Sequence, residues 1–204
     1  MTCTLLLMRH GEIKANRDRR WHGSTDSPLV WRGRRQAKRL GRFVETRYPE
    51  LQALYVSPRQ RCLDTAAPIA RGLALQAEVV DELQEWSVGE LEDTPFQVLA
   101  EKHNFFARSL ENLEYAVTGG ESINAVARRY LGALFTISRQ HETADVDNHI
   151  GIVSHGAAIQ VALAQLIDGS GKYWQQYSIS NCSVTELVLT PKPYITAYNQ
   201  THFL

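Results

Sequence analysis

Two apolar runs in this chain end in the same way. Leu5-Leu6-Leu7-Met8 runs into Arg9-His10-Gly11-Glu12, and His149-Ile150-Gly151-Ile152-Val153-Ser154 runs into His155-Gly156-Ala157. Each run has strand length and is nearly free of polar residues, the pattern of a strand buried on both faces. Such strands belong to mostly parallel sheets covered by helices, and those sheets bind ligands beyond the carboxyl ends of their strands. Both His-Gly pairs fall there. Gly11 is expected to let the backbone turn sharply after His10.

The segments between the two runs fit this frame. Residues 11–31 read as loop, punctuated by Gly11, Asn16, Gly23, Asp26 and Pro28. A helix is predicted from about Arg32 to Tyr48, with Ala37, Leu40, Phe43, Val44 and Tyr48 as its apolar stripe. Ala53–Val56 reads as a strand. Ser57-Pro58-Arg59-Gln60 then reads as a helix start, with Ser57 as cap, Pro58 at the first helical position and Gln60 closing a capping box; the helix runs to about Gly72. Gln76–Val80 is a short strand, residues from Pro95 to about Leu110 are helical, and Ser122–Arg139 is a long helix. A helix follows the second His-Gly pair from Ile159 to Ile167, and Val184–Leu189 and Tyr194–Tyr198 are two last strands. This order predicts one α/β sandwich over residues 1–204, mostly parallel with some antiparallel pairing.

Composition closes off some classes of function. The longest apolar runs fall well short of the ~18 residues of a membrane span. Met1 to Met8 has no basic start and meets Arg9-His10 at once, unlike a signal peptide. Cys3, Cys62 and Cys182 are far apart and odd in number, as expected of small buried residues in a reducing cytoplasm rather than a disulfide framework. Residues 1–47 carry 12 Lys and Arg against 4 Asp and Glu, whereas residues 78–124 carry 2 against 11. A basic half around His10 suits an anionic substrate. Arg32, Arg35, Arg39 and Arg42 fall off the apolar stripe and read as a solvated helix face, not as a nucleic-acid contact.

Parallel strands bring their carboxyl ends to one edge, so Arg9, His10, Arg61 and His155 can converge there. Two arginines and two histidines backed by helix amides suit a phosphoryl group, and an imidazole is a competent nucleophile. A carboxyl group is still needed to protonate the leaving oxygen, and Glu85 is the best-placed candidate.

At this point the chain resembles the histidine phosphatase family, which includes the phosphoglycerate-dependent mutases. The residues that carry the resemblance are Leu7-Met8-Arg9-His10-Gly11-Glu12, Asn16, Gly23, Asp26, Pro28-Leu29, Gly33, Gln36-Ala37, Ser57-Pro58, Arg61, Thr65-Ala66, Glu85, Gly89, Gly120-Glu121-Ser122 and Ser154-His155-Gly156. The resemblance implies a three-layer α/β/α sandwich with a six-stranded, mostly parallel mixed sheet. It implies that His10 is the phosphorylated nucleophile, that Arg9, Arg61 and His155 clamp the phosphoryl group, and that Glu85 is first acid and then base. Asn16, His22, Gly23 and Gly156 would contact the substrate, a small phosphorylated metabolite, with neither metal nor cofactor. A lid is implied at about 90–120. Three positions depart from the family pattern: Ile13 stands where Ser or Thr is common, Ala15 where an aromatic is common, and Asp93 where Gly is frequent.

The lid segment also bears on the reaction. It is short, and over residues 93–118 it carries Glu101, Glu111 and Glu114 against Lys102 and Arg108, a poor clamp for a doubly phosphorylated acid. That favours phosphate transfer to water over a mutase, the alternative. A module that only binds phospho-ligands would not need Glu85. A serine hydrolase built on Ser154 lacks the Gly expected two residues earlier, where Ile152 stands. A zinc site on His10, His22 and His155 would face repulsion from Arg9 and Arg61.

Overall fold

The computed structural model describes residues 3–142 and 148–204; the first two residues of the Met1–Met8 stretch lie outside them. Six strands form one sheet: β1 (Cys3–Arg9), β2 (Ala53–Val56), β3 (Ala77–Val79), β4 (Asn148–Ser154), β5 (Val184–Val188) and β6 (Tyr194–Gln200). Their order is β3-β2-β4-β1-β5-β6. The pairs β1·β4, β2·β4 and β2·β3 are parallel, while β5 pairs antiparallel with both β1 and β6. This is the mixed, mostly parallel sheet expected from the sequence.

The double burial of β1 has a direct consequence. Leu5, Leu6, Leu7 and Met8 are all fully buried, but they alternate between two cores. Leu6 and Met8 pack with Ala37, Leu40 and Val44 of α2 (Trp31–Arg47) and Cys62, Ala66 and Ile69 of α3 (Gln60–Gly72). Leu5 and Leu7 pack on the other face with Ile123, Val126 and Tyr130 of α6 (Ile123–His141) and Ala158–Ala164 of α7 (Gly156–Ile167). Each such side chain contributes about 1.5–3 kcal/mol on burial. A one-residue slip would exchange the two sets, so the register that delivers His10 to the sheet edge is strongly specified.

Several boundaries differ from the sequence reading. A short helix, α1 (Lys14–Arg17), lies inside the segment read as loop. The helix expected from Pro95 to Leu110 is two helices, α4 (Phe96–Glu101) and α5 (Phe105–Glu111), parted where Asn104 takes a left-handed conformation at φ 49° that its short polar side chain tolerates. The last long helix begins at Gly156, three residues before the expected start. Ser57 does not cap α3: the helix starts at Gln60, whose amide donates to Asp26 Oδ2 at 2.6 Å, so the cap comes from a distant loop. Gly11 stays out of the left-handed region; it is needed for close packing, because a Cβ there would lie 2.7 Å from the Gly33 carbonyl oxygen of α2. Cys3, Cys62 and Cys182 are free and buried. Among the described residues no helix is long and apolar enough to cross a membrane.

Candidate active site

β1 and β4 are neighbours in the sheet, with Arg9 opposite Ser154, so the residues that follow leave side by side. The amide of His10 donates to the Ser154 carbonyl at 2.9 Å. The His10 and His155 rings meet edge to face, with centroids 5.4 Å apart.

The hydrogen bonds assign a tautomer to each ring. Nδ1 of His10 is 2.8 Å from the Gly11 carbonyl oxygen. A carbonyl only accepts, so Nδ1 carries the hydrogen and Nε2 keeps its lone pair. Burial lowers the His10 pKa well below its ordinary value, and the nearby Arg61 and Arg9 charges lower it further. His10 is therefore neutral at neutral pH, with Nε2 available as a nucleophile. It lines a cavity of about 320 Å³ with Arg9, Asn16, His22, Glu85 and Gly156.

His155 is ordered differently. Its Nδ1 accepts from Nε of Arg61 at 3.2 Å, so Nε2 carries the hydrogen and donates to Ser57 Oγ at 2.7 Å. Burial, and then the Arg61 charge, lower its pKa well below the ordinary value as well. The remaining Arg61 donors reach the carbonyls of Thr25 (2.6 Å), His22 (3.1 Å) and Gly23 (2.8 Å) and Asp26 Oδ1 (3.4 Å). All five N–H groups of the guanidinium thus have acceptors in the protein. Arg61 and His155 are fully buried and stand behind His10, not in the cavity wall. The resemblance implied that both would clamp the phosphoryl group; in this structure their polar atoms are engaged by partners within the protein. His155 also has no nitrogen left for a metal.

The other expected residues fall into two groups. Asn16 Oδ1 accepts from the Ile13 amide and from Asn181 Nδ2, both at 3.1 Å, which turns its own amide nitrogen toward the cavity it lines. Glu85 sits at the start of α7 and accepts from the amides of Ala157 (3.1 Å), Ala158 (2.8 Å) and Trp86 (2.9 Å). Gly156 lets Arg9 lie across the first turn of α7, since a Cβ there would be 3.1 Å from Arg9 Nε. Arg9 also donates from Nη1 to the Ile179 carbonyl at 2.6 Å. His22 lines the cavity and its Nδ1 is 2.8 Å from Asp93 Oδ1. Gly23 does not line it: its amide donates to Glu92 and its carbonyl accepts from Arg61, so it serves the scaffold.

Sequence reasoning missed four residues that build this site. Ser57 orders His155, and Asn181 donates to both the His10 carbonyl (2.9 Å) and Asn16. Glu92 gathers the amides of Gly23, Ser24, Thr25 and Val88 and the Thr25 hydroxyl, and so fixes the loop that holds Arg61. Asp93 orients His22. Asn181 and Glu92 carried no local signal, since the residues of the site that they hold lie more than sixty positions away; Ser57 was visible only in the Ser57-Pro58 pair and Asp93 only as a departure from Gly. The rest of the cavity wall combines the aromatic rings of Trp21, Phe96, Phe106 and Trp174 with Ile13, Arg20, Ala157, Gln160 and Gln175. Trp21 meets the other three rings at centroid distances of 5.7–6.3 Å. A larger cleft of about 930 Å³ shares Arg9 and Gln160 with this cavity and runs along Trp31, Arg32, Arg35 and Arg39 of α2.

A buried, neutral imidazole with a free Nε2, set between arginines and facing a carboxylate at the end of a parallel sheet, defines a phosphoryl-transfer site of the histidine type. Residues 5–201 match the model of the histidine phosphatase superfamily (branch 1), and the chain belongs to that family. A bifunctional protein of Mycobacterium tuberculosis is 32% identical over 203 residues, covering 98% of this chain and 54% of its own length; this chain thus spans about half of that relative. A probable phosphoglycerate mutase of Cronobacter sakazakii is 27% identical, covering 94% of this chain and 87% of its own length. Among solved structures, phosphoserine phosphatase from Entamoeba histolytica, in complex with 3-phosphoglyceric acid, is 25% identical with a TM-score of 0.86 over 99% of each chain. A mycobacterial glucosyl-3-phosphoglycerate phosphatase shares the fold at 23% identity and a TM-score of 0.85, covering 98% of this chain and 100% of its own.

Proposed function

We propose that this chain is a phosphatase that hydrolyses a small phosphorylated metabolite through a phosphohistidine on His10, without a metal, in the cytoplasm. The observation that carries this reading is the bare Nε2 of His10 in a 320 Å³ cavity shared with Arg9 and Glu85. In the first half-reaction Nε2 attacks phosphorus, the ester P–O bond breaks, and Glu85 gives its proton to the leaving oxygen. The phosphoryl oxygens lie among Arg9, Asn16 and His22, with the Arg61 charge behind them. In the second half Glu85 takes a proton from water, water oxygen attacks phosphorus, and the N–P bond breaks to restore neutral His10. The three amides on Glu85 stabilise the carboxylate that exists between the two halves. Chelator treatment is expected to leave turnover intact.

Transfer to water, not back to a sugar acid, is supported by the segment that closes over the site. Its contributions to the cavity wall are Phe96 and Phe106; Glu101 and Glu111 are exposed, and Glu114 pairs with Arg128 at 3.2 Å. That segment offers apolar surface to the organic part of an ester and, unlike Arg20 elsewhere in the wall, no charge to a second phosphate. The relatives named for phosphoserine, phosphoglycerate and glucosyl-phosphoglycerate set the range of compounds to try. The test is a panel of phosphomonoesters, with 3-phosphoglycerate assayed with and without 2,3-bisphosphoglycerate for isomer and phosphate together. Steady phosphate release without bisphosphate is expected; bisphosphate-dependent isomerisation that outpaces release makes the protein a mutase.

A further inference from the structure

Asp93 occupies a position that costs it backbone strain. Its φ is +59°, in the left-handed region that favours glycine. Its carboxylate is spent on one partner in the site, Nδ1 of His22 at 2.8 Å. The His22 side chain is 8% exposed, and its Nε2, on the opposite side of the ring from Asp93, is buried with no hydrogen-bond partner among the described residues. His22 lines the cavity, and its charged form is felt at His10, whose pKa it helps to lower. A buried polar atom without a partner, in a cavity wall beside the nucleophile, is an atom waiting for a ligand.

The pair fixes what that ligand can be. An ionised carboxylate only accepts, so Nδ1 of His22 must carry a hydrogen. Neutral His22 then presents a lone pair at Nε2, which repels a phosphoryl oxygen; protonated His22 presents an N–H, which binds it. Resting on the phosphatase reading above, we propose that Asp93 is a positioning residue that makes His22 a proton-linked donor to the phosphoryl group. Binding an ester or phosphonate dianion, whose phosphoryl oxygens carry no hydrogen, takes one proton from solvent onto Nε2 of His22, whereas a monoanion brings that proton on its own P–OH. No bond other than this N–H is made or broken in the binding step. The titratable and charged groups around the ring are Arg9 of β1 and His10 just after it, Lys14 of α1 with Asp18 and Arg20 just after it, Arg61 of α3, Glu85 at the start of α7, and Glu92 beside Asp93. Arg61 donates to the His22 carbonyl and Arg20 to the Asp93 carbonyl, so both brace the backbone of the pair.

The experiment uses phenylphosphonate as the probe, because its dianion carries no P–OH, whereas inorganic phosphate at the same pH still has one and can donate to a neutral Nε2. Calorimetric titration in two buffers of different ionisation enthalpy counts protons taken up, and phosphonate inhibition of p-nitrophenyl phosphate hydrolysis from about pH 6 to about pH 9 gives affinity. At about pH 8.5, where the free phosphonate is a dianion, the wild type is expected to take up about one proton per phosphonate bound. Its affinity is expected to fall about tenfold per pH unit there. H22Q, whose amide donates at any pH, should lose that proton and flatten the profile. D93G, which relaxes the left-handed backbone and frees Nδ1 so that neutral His22 can place its hydrogen on Nε2, should do the same. Proton uptake in H22Q and D93G equal to that of the wild type, or a wild type that binds the phosphonate with no proton uptake, overturns the role of the pair alone. A wild type that neither binds the phosphonate nor hydrolyses any ester overturns the phosphatase reading beneath it.

Discussion

Ser57 Oγ accepts a 2.7 Å hydrogen bond from Nε2 of His155, and this bond occupies the one nitrogen that Arg61 leaves to that ring. With Nδ1 facing Arg61 and Nε2 facing Ser57, His155 has no free nitrogen. His10, tied only at Nδ1, keeps one. The two rings are both buried and both held neutral, yet their partners give them different chemistry.

Removing the Ser57 hydroxyl leaves a buried N–H with only the weak acceptor Cys62 Sγ, 3.4 Å away. Ser57→Ala is expected to cost about 1–3 kcal/mol of stability. Urea unfolding measures it, with turnover of p-nitrophenyl phosphate falling in parallel as His155 loses its fixed position against His10. Wild-type stability in the variant would mean that His155 is held by packing alone.

Glu92 makes the stability depend on pH. Burial by itself raises its pKa, but the hydrogen bonds from the amides of Ser24, Val88 and Thr25 and from the Thr25 hydroxyl outweigh it, and the net shift is downward. A carboxylate with a depressed folded pKa contributes stability that is present above the unfolded value, about 4.3, and is lost as pH falls through the folded value. Glu92→Gln should therefore be less stable than the wild type at neutral pH, and the gap should close below about pH 4. Paired unfolding curves across that range check it; a gap that persists in acid contradicts the assignment.

Much of this was legible in the sequence. The two apolar runs ending in His-Gly carried the central parallel pair, and the periodicity of Ala37, Leu40 and Val44 carried the covering helix. His10, Glu85, Asn16 and Gly156, which the structure gathers around one cavity, stand out in the sequence because each lies at the end of a regular element or within a dense motif. The partners that give those residues their chemistry were not found. Ser57 looked like a cap because a Ser before Pro normally is one, and nothing local shows that a histidine 98 positions later needs its oxygen. The break at Asn104 was hidden for a similar reason: the apolar spacing on either side of it continues a helical period that the backbone interrupts.

Glu85 is expected to act as the general acid, a role worth roughly 10²–10⁴-fold in rate. Glu85→Gln should lose about that much on alkyl phosphates and far less on p-nitrophenyl phosphate, whose leaving group needs little protonation. Steady-state rates on the two substrates separate the role from general damage, since equal losses would remove Glu85 as the donor.

The most direct test of the account is whether phosphorus becomes bonded to His10. Turnover of a ³²P-labelled phosphoester, quenched rapidly in alkali, should trap a label that survives base and is lost in acid, and peptide mapping should place it on His10. His10→Ala should show neither label nor turnover. A labelled serine, or a His10→Ala variant that turns over near the wild-type rate, would contradict the mechanism.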